Sequence, residues 1–503
     1  MSKCERFRGL ANQLFFSTLL LSTAGIAWGQ TQIITASDFG MQCGSTSITS
    51  ITNCAPVSGA ITLPTQPGML RLWDSGVSWA DIQPTSATAA PQWGTLNEYL
   101  QAIGTDPTHP SVIYTFGHVP CWAVASCSSV PWTPIPPDDL FTSCSPICSK
   151  SPDFDAFVQL LTSYCYTNPT TSQQYCVKDL IKYYELWNEA DTSVFWDPPT
   201  VTGLTSSDVL YDMVSPEVSV ITSNVSGAQI LTPSITGNGE SWMVDWVCSE
   251  GTNTLVSNYY DIHQYMNLNL SSITITPEAA YQNVLPTGGG TLYPNYNPTP
   301  TGGCPNGKTN HWAALPWMLT ETNWAYNSGL SPAQYACTVG TPPSGYYQAD
   351  CDGQLVRWQL LLNSPLSVNS TTVNGAANVS WYWWDQTIGD YPGGSANYAE
   401  PYYYMQQYML NGKLNGACSS SSSGGYSIIS CPFKQSYGHP PSIYTALWVW
   451  TNDTSSSGLT FTFSGSTYAS YWDLWGGCHA ISPSTTSITA TYDPVMLTAR
   501  GCM

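Results

Sequence analysis

Between about residues 34 and 390, short apolar strings alternate with amphipathic helical patterns, and this alternation limits the chain to few folds. Eight strings read as strands: 37–42, 69–73, 112–117, 182–188, 229–233, 259–265, 317–321 and 378–384. Most are followed by apolar residues at helical spacing. Leu96, Tyr99, Leu100 and Ile103 form one helix face, with Gly104 as a stop. Phe154, Phe157, Val158, Leu160 and Leu161 repeat the signal, as do Val209, Leu210 and Met213, and then, more weakly, Trp242, Val244, Asp245 and Trp246. Strands separated by helices pair in parallel, and eight such units predict an α/β fold of the (β/α)8 barrel type. Long Gly- and Pro-rich loops at 119–151 and 389–401 follow the third and eighth strands, on the face where barrel active sites sit. A third, 286–308, leads into the seventh strand. Beyond about residue 402 the helical patterns stop. Short alternating runs bounded by turns predict an antiparallel β-sandwich over 402–503, giving a barrel domain over 30–401. Its Trp448, Trp450, Trp472 and Trp475 are expected to serve packing before sugar binding.

Charge excludes several functions. Only 9% of residues are charged, with 12 Lys and Arg against 32 Asp and Glu, so clustered cations for nucleic acid or anionic lipid are absent. Residues 1–29 read as a secretory signal: Lys3, Arg6 and Arg8, then an apolar run over 14–21, then Ala27-Trp28-Gly29. No stretch is long enough to span a bilayer. Removing Cys4 with the signal leaves 16 of the 17 cysteines, an even number that fits disulfides in a secreted, extracellular or periplasmic protein. Close pairs predicted as staples are Cys43/Cys54, Cys165/Cys176, Cys337/Cys351, Cys418/Cys431 and Cys478/Cys502. Cys144 and Cys148 have no companion pair at metal-ligand spacing, so no metal and no organic cofactor is expected.

Two strings carry the chemistry. Tyr183-Tyr184-Glu185-Leu186-Trp187-Asn188-Glu189 and Trp317-Met318-Leu319-Thr320-Glu321 are apolar strands that each end in a glutamate. A carboxylate at the end of a buried strand is costly without a role, and cations to pair with it are scarce. Strand alternation puts Glu185, Trp187 and Glu189 on one face, and Trp317, Leu319 and Glu321 on one face. The fourth and seventh strands lie across the ring from each other, so Glu189 and Glu321 can face each other as the paired carboxylates of glycoside hydrolysis.

These strings resemble clan A of the glycoside hydrolases, the retaining (β/α)8 enzymes. Met69-Leu70-Arg71-Leu72-Trp73-Asp74-Ser75-Gly76 with Trp79, Tyr114-Thr115-Phe116-Gly117 with Pro120 and Trp122, and Asp261-Ile262-His263-Gln264-Tyr265 resemble strands of family 39-type members. The match departs at Ala190, where proline is expected, and in the cysteine-rich loop after the third strand. The resemblance implies Glu189 as acid/base and Glu321 as nucleophile, with Asn188 on the sugar 2-hydroxyl. His263, Tyr265, Arg71 and His118 would line the substrate site. A tryptophan of the eighth strand would form its floor, Trp383 before Trp381 or Trp384. It implies a β-linked glycan as substrate, cleaved by double displacement in a β-xylosidase- or β-glycanase-like reaction. The rival reading, a carbohydrate-binding barrel without catalysis, expects one carboxylate to be missing. A lyase or metal hydrolase expects a lysine base or a His/Asp cluster at the strand ends.

Overall fold

The computed structural model describes residues 32–502 apart from 44–47, 52–66, 128–130, 143, 251–255, 266–276, 287–289, 298–303, 305–313, 323–347, 369, 383–398, 424, 438–441, 453–457 and 466. All eight expected strands form: β1 Phe39–Gln42, β2 Met69–Leu72, β3 Ser111–Thr115, β4 Tyr183–Glu185, β5 Gln229–Leu231, β6 Tyr260–His263, β7 Trp317–Thr322 and β8 Val379–Trp381. They pair in parallel in the order β6-β7-β8-β1-β2-β3-β4-β5. A parallel bridge from Leu231 to Tyr259 joins the two ends, so the sheet closes into a barrel. Both faces of these strands are buried, which is why they read as continuous apolar runs.

The outward residues, among them Leu70, Leu72, Val112, Tyr114, Ile262 and Leu319, pack in one core with the surrounding helices. Inside, Met69, Ile113, Leu231 and Met318 form a small apolar cluster. The rest of the interior is polar: Gln42, Arg71, Thr115, Glu185, Asp261, His263 and Thr320 are all buried. The predicted helices form at Gly94–Thr105, Pro152–Ser163, Ser206–Asn224 and Glu240–Glu250. Ser151 caps the second of these by accepting from Phe154 N, with proline following it. Thr205 and Asp208 form a reciprocal capping box on the third.

The C-terminal region is an antiparallel sheet built on the long strands Tyr426–Tyr437 and Ser442–Thr451. Strand alternation splits its faces. Trp448, Trp450, Phe433 and Met496 join the barrel core, while Val449, Ile428 and Leu497 pack under a two-stranded sheet, Leu459–Thr462 with Ser487–Ala490. A helix, Ala399–Met409, runs through the position where the sequence texture changes. Three of the expected staples form, Cys165–Cys176, Cys418–Cys431 and Cys478–Cys502. Cys43 is disulfide-bonded. The partner expected for it, Cys54, and the expected pair Cys337/Cys351 involve side chains outside the described residues. Cys121–Cys127, Cys144–Cys148 and Cys248–Cys304 were not foreseen. No described helix is long and apolar enough to cross a membrane.

Candidate active site

Arg71 is the hub of the barrel interior. Its guanidinium donates to both oxygens of Glu185 at 2.8 Å, to Asn188 Oδ1 at 2.7 Å and to Glu321 Oε2 at 2.6 Å. The planar fork suits several carboxyl partners at once, which an ammonium could not match. Glu185 is fully buried and also accepts from Thr115 at 2.7 Å, so it serves to hold Arg71. Burial alone would raise its carboxyl, and Arg71 turns the balance to lower than usual.

Glu321 receives donors on both oxygens: Arg71 on Oε2 and the Tyr265 hydroxyl on Oε1. Burial raises its carboxyl above the ordinary range, and the Arg71 charge and the Tyr265 hydrogen bond oppose that rise. Glu189 stands differently. Its described polar side-chain contact is His263 Nδ1, 3.0 Å from Oε1. Burial, then the charges of Asp191, Glu185 and Asp74, push its carboxyl up to about 7 against the pull of Arg71. One oxygen of Glu189 and one of Glu321 lie within 4.8 Å of each other, with a His263 nitrogen equally close. His263 is pulled down to about 4 by burial, so it is neutral across the physiological range.

The route by which the two glutamates meet differs from simple alternation. In β7 the residues turned inward are Met318 and Thr320, and Leu319 faces the helices. The pairing with β6 then slips, Ile262 to Leu319 followed by His263 to Glu321. This irregularity turns Glu321 inward beside Thr320, as bulges next to active sites do. In the fourth string, strand pairing ends at Glu185, and Trp187 points outward against Phe154 and Trp196. Asn188 and Glu189 return to the mouth through a turn in which Glu189 takes a φ of 40°. Asp74 and His118, beyond the ends of β2 and β3, have φ of 54° and 56°. Three polar residues in left-handed backbone at the same rim carry strain of the kind kept at functional sites.

His118 is not bonded to the glutamates. It lies between Trp132, stacked at 4.0 Å, and Trp73, tilted at 4.4 Å, with Phe195 against both tryptophans. Burial pulls it down to about 4. Gly117 makes room for this wall, since a Cβ there would lie 2.7 Å from the Trp73 ring. Trp132 comes from the loop after β3, which is tied by Cys121–Cys127 and Cys144–Cys148 and bonded to the loop after β4 by Asp197 N on Pro134 O at 2.9 Å. Trp73 in turn lies 5.8 Å from the Arg71 guanidinium. Trp383 and Trp384 lie outside the described residues. Trp381 is fully buried and donates toward Gln359 at 3.4 Å, which makes it core rather than floor. Its neighbour Tyr382 reaches the rim instead, donating to Asp74 Oδ2 at 3.0 Å.

Sequence reasoning missed Asp261, Thr320, Tyr382 and Trp132. The spacing Asp261, His263 was a usable signal for the first, because residues two apart share a strand face. Glu185, Asp261 and His263 also converge within 4.8 Å, a cluster not apparent along the chain. The Arg71 charge between Glu185 and Glu321 makes this space hostile to a cation. The arrangement offers one carboxyl held toward its acid form, one carboxyl held by two donors, and an amide oriented by the same arginine.

No family model matches the chain, and no curated protein sequence matches it. Among solved structures, it is similar to a family 44 xyloglucanase from Paenibacillus polymyxa, with 13% identity over 93% of this chain and 97% of that one, at a TM-score of 0.47. It is also similar to a family 51 α-L-arabinofuranosidase from Bifidobacterium longum, with 9% identity over 94% and 98%, at a TM-score of 0.47. A family 44 endoglucanase from Clostridium acetobutylium shares 12% identity over 91% and 98%, at a TM-score of 0.45. These values carry no argument about chemistry, and the barrel rests on its own strand pairing.

Proposed function

We propose that this chain is a secreted retaining glycoside hydrolase of the clan A type, acting on a β-linked poly- or oligosaccharide. One observation carries the reading: the Glu189 and Glu321 oxygens lie within 4.8 Å. Retaining enzymes need carboxyl groups about 5–5.5 Å apart, and inverting enzymes leave a wider gap for water. In the first step Glu321 attacks the anomeric carbon and forms an ester. The glycosidic bond breaks, and the Glu189 proton goes to the leaving oxygen. In the second step water attacks the same carbon, Glu189 takes the water proton, and the ester bond breaks to restore the Glu321 carboxylate.

The surroundings support this division. Glu321 has Arg71 and Tyr265 to stabilise its anion, while Glu189 has a raised carboxyl suited to an acid at neutral pH. Once Glu321 is esterified its charge is gone, so the Glu189 pKa falls and the carboxyl ionises, free to take a proton from water. Asn188, oriented by Arg71, is placed to meet the 2-hydroxyl of a sugar. The Trp73, His118, Trp132 and Phe195 wall supplies an apolar face beside the catalytic pair. The motifs of the second, third and sixth strands favour β-xylosidic or related bonds. The described disulfides are in keeping with export.

Glu321→Ala should abolish hydrolysis of an activated aryl glycoside, and azide should restore turnover with inverted anomeric configuration. A rescued product of retained configuration would exchange the two roles. Normal rates in both Glu189→Gln and Glu321→Gln would sink the glycosidase reading and leave a binding barrel. Product analysis on β-glucan, xylan, mannan and galactan identifies the sugar.

A further inference from the structure

We propose that Asp261 and Thr320 act through His263 to keep a hydrogen on Glu189, which makes them positioning residues for the general acid; this rests on the glycosidase reading above. The geometry is a single chain of contacts across β6, β7 and the turn after β4. The Thr320 hydroxyl donates to Asp261 Oδ1 and Oδ2 at 2.8 and 2.9 Å. His263 Nε2 lies 3.1 Å from the same hydroxyl oxygen, and Nδ1 lies 3.0 Å from Glu189 Oε1.

A hydroxyl has one hydrogen. With that hydrogen on Asp261, Thr320 can only accept from His263, so Nε2 carries the imidazole hydrogen. A neutral imidazole has one such hydrogen, which leaves Nδ1 bare. A carboxylate oxygen at 3.0 Å from a bare nitrogen would set lone pair against lone pair, so the hydrogen between them belongs to Glu189. His263 is fully buried, which keeps the ring neutral and the argument in force. Asp261 accepts from Thr320 in either of its own charge states, since a protonated carboxyl still offers an oxygen. The groups facing Glu189 are Asp74 and Arg71 from the β2 side, Glu185 and Asp191 from the β4 side, His263 from β6 and Glu321 from β7. Of these only Arg71 carries positive charge, so the relay and the surrounding carboxylates push the same way. In the second step the bare Nδ1 beside the Glu189 anion strengthens it as a base. The opposite direction is also definite. Asp261 donating to Thr320, and Thr320 to Nε2, would put the hydrogen on Nδ1 and stabilise Glu189 as an anion.

Two measurements on the full chain decide between them. In protein labelled with ¹⁵N-histidine, the resonances lost in His263→Gln identify this ring. Between about pH 5 and 7, where the ring is neutral, its Nε2 should be protonated and its Nδ1 should show the shift of a bare nitrogen; a protonated Nδ1 there overturns the proposal. The second is the pH profile of kcat/KM on an aryl glycoside with a poor leaving group. Thr320→Val frees the tautomer, so its basic limb should fall by about one pH unit, and Thr320→Ser should restore it. An unmoved limb, or Thr320→Ser behaving as Thr320→Val, overturns the relay. If the wild type cleaves no glycoside, the glycosidase reading fails, while the ¹⁵N shifts still report on the relay.

Discussion

At the scale of single residues, Arg71 and Glu189 have opposite needs, and both needs can be measured. Arg71 is fully buried and meets its charge through Glu185 and Glu321, with Asn188 and Gln42 filling the remaining donors. Arg71→Met leaves two carboxylates buried without their cation, and breaking such a pair costs about 3–5 kcal/mol. The urea midpoint should fall accordingly, and Arg71→Lys should recover only part of it, because an ammonium lacks the fork. Glu189 has to hold a proton to act. Its carboxyl is pushed up to about 7, so kcat/KM should decline as pH rises through about 7. In Glu189→Ala that limb should disappear, and the residual rate should depend steeply on leaving-group acidity. Steady-state rates on a series of aryl glycosides read both effects. The two glutamates were legible in the chain because each closes an apolar string in a sequence poor in cations. The partners that tune them were not, since Thr320 and Asp261 look like ordinary strand residues until the pairing of β6 with β7 joins them.

At the scale of elements, the eight strands were legible because burial on both faces leaves an apolar run that local composition reveals. Their ends were less so. The string at 182–188 pairs only as Tyr183–Glu185, and the slip between β6 and β7 comes from cross-strand pairing that no single strand encodes. Helix ends raise a separate question of acidity. Glu250, at the end of Glu240–Glu250, is fully buried with Ser257 donating to one oxygen, and burial pushes it up to about 8. Glu217, buried in Ser206–Asn224, is pushed up to about 8 by burial and by Asp155. A carboxyl whose folded pKa exceeds its unfolded one favours folding fully below the unfolded value. That advantage is lost as pH rises toward the folded value. Between about pH 4.5 and 8 each group should therefore remove roughly 1.4 kcal/mol of stability per pH unit. Calorimetric melting temperature should fall across this window, and Glu250→Gln should flatten the fall. A melting temperature that rises from pH 4.5 to 8 would contradict it.

At the scale of the whole molecule, the C-terminal sheet meets the barrel at an ion pair between two barrel helices, which Trp450 and Tyr492 of the sheet region contact. Arg357 pairs with Glu278, Trp450 donates to Glu278 at 2.7 Å, and Arg357 lies 4.2 Å over the Tyr492 ring. Glu278→Ala should strand the Arg357 charge in the interface and cost about 3–5 kcal/mol, read as an earlier melting transition of the whole chain. Trp450→Phe keeps the apolar packing and loses one hydrogen bond, so it should cost only about 1 kcal/mol by the same measurement. The sequence by itself determined the eight barrel strands, the antiparallel character of the C-terminal region and the two carboxyls of the proposed site. Each of these follows from local patterns of burial, period and charge that neighbouring residues share. Arg71, His263 and Tyr265 were expected beside those carboxyls from the resemblance; the tertiary structure alone decided their distances and added Asp261, Thr320 and the Trp132 wall. Arg71, Asp261, Thr320 and the Trp132 wall come from different strands and loops, and ring closure with a slipped pairing sets their distances. Proton affinity depends on those distances and on lost solvent, neither of which is a property of a residue in its own string.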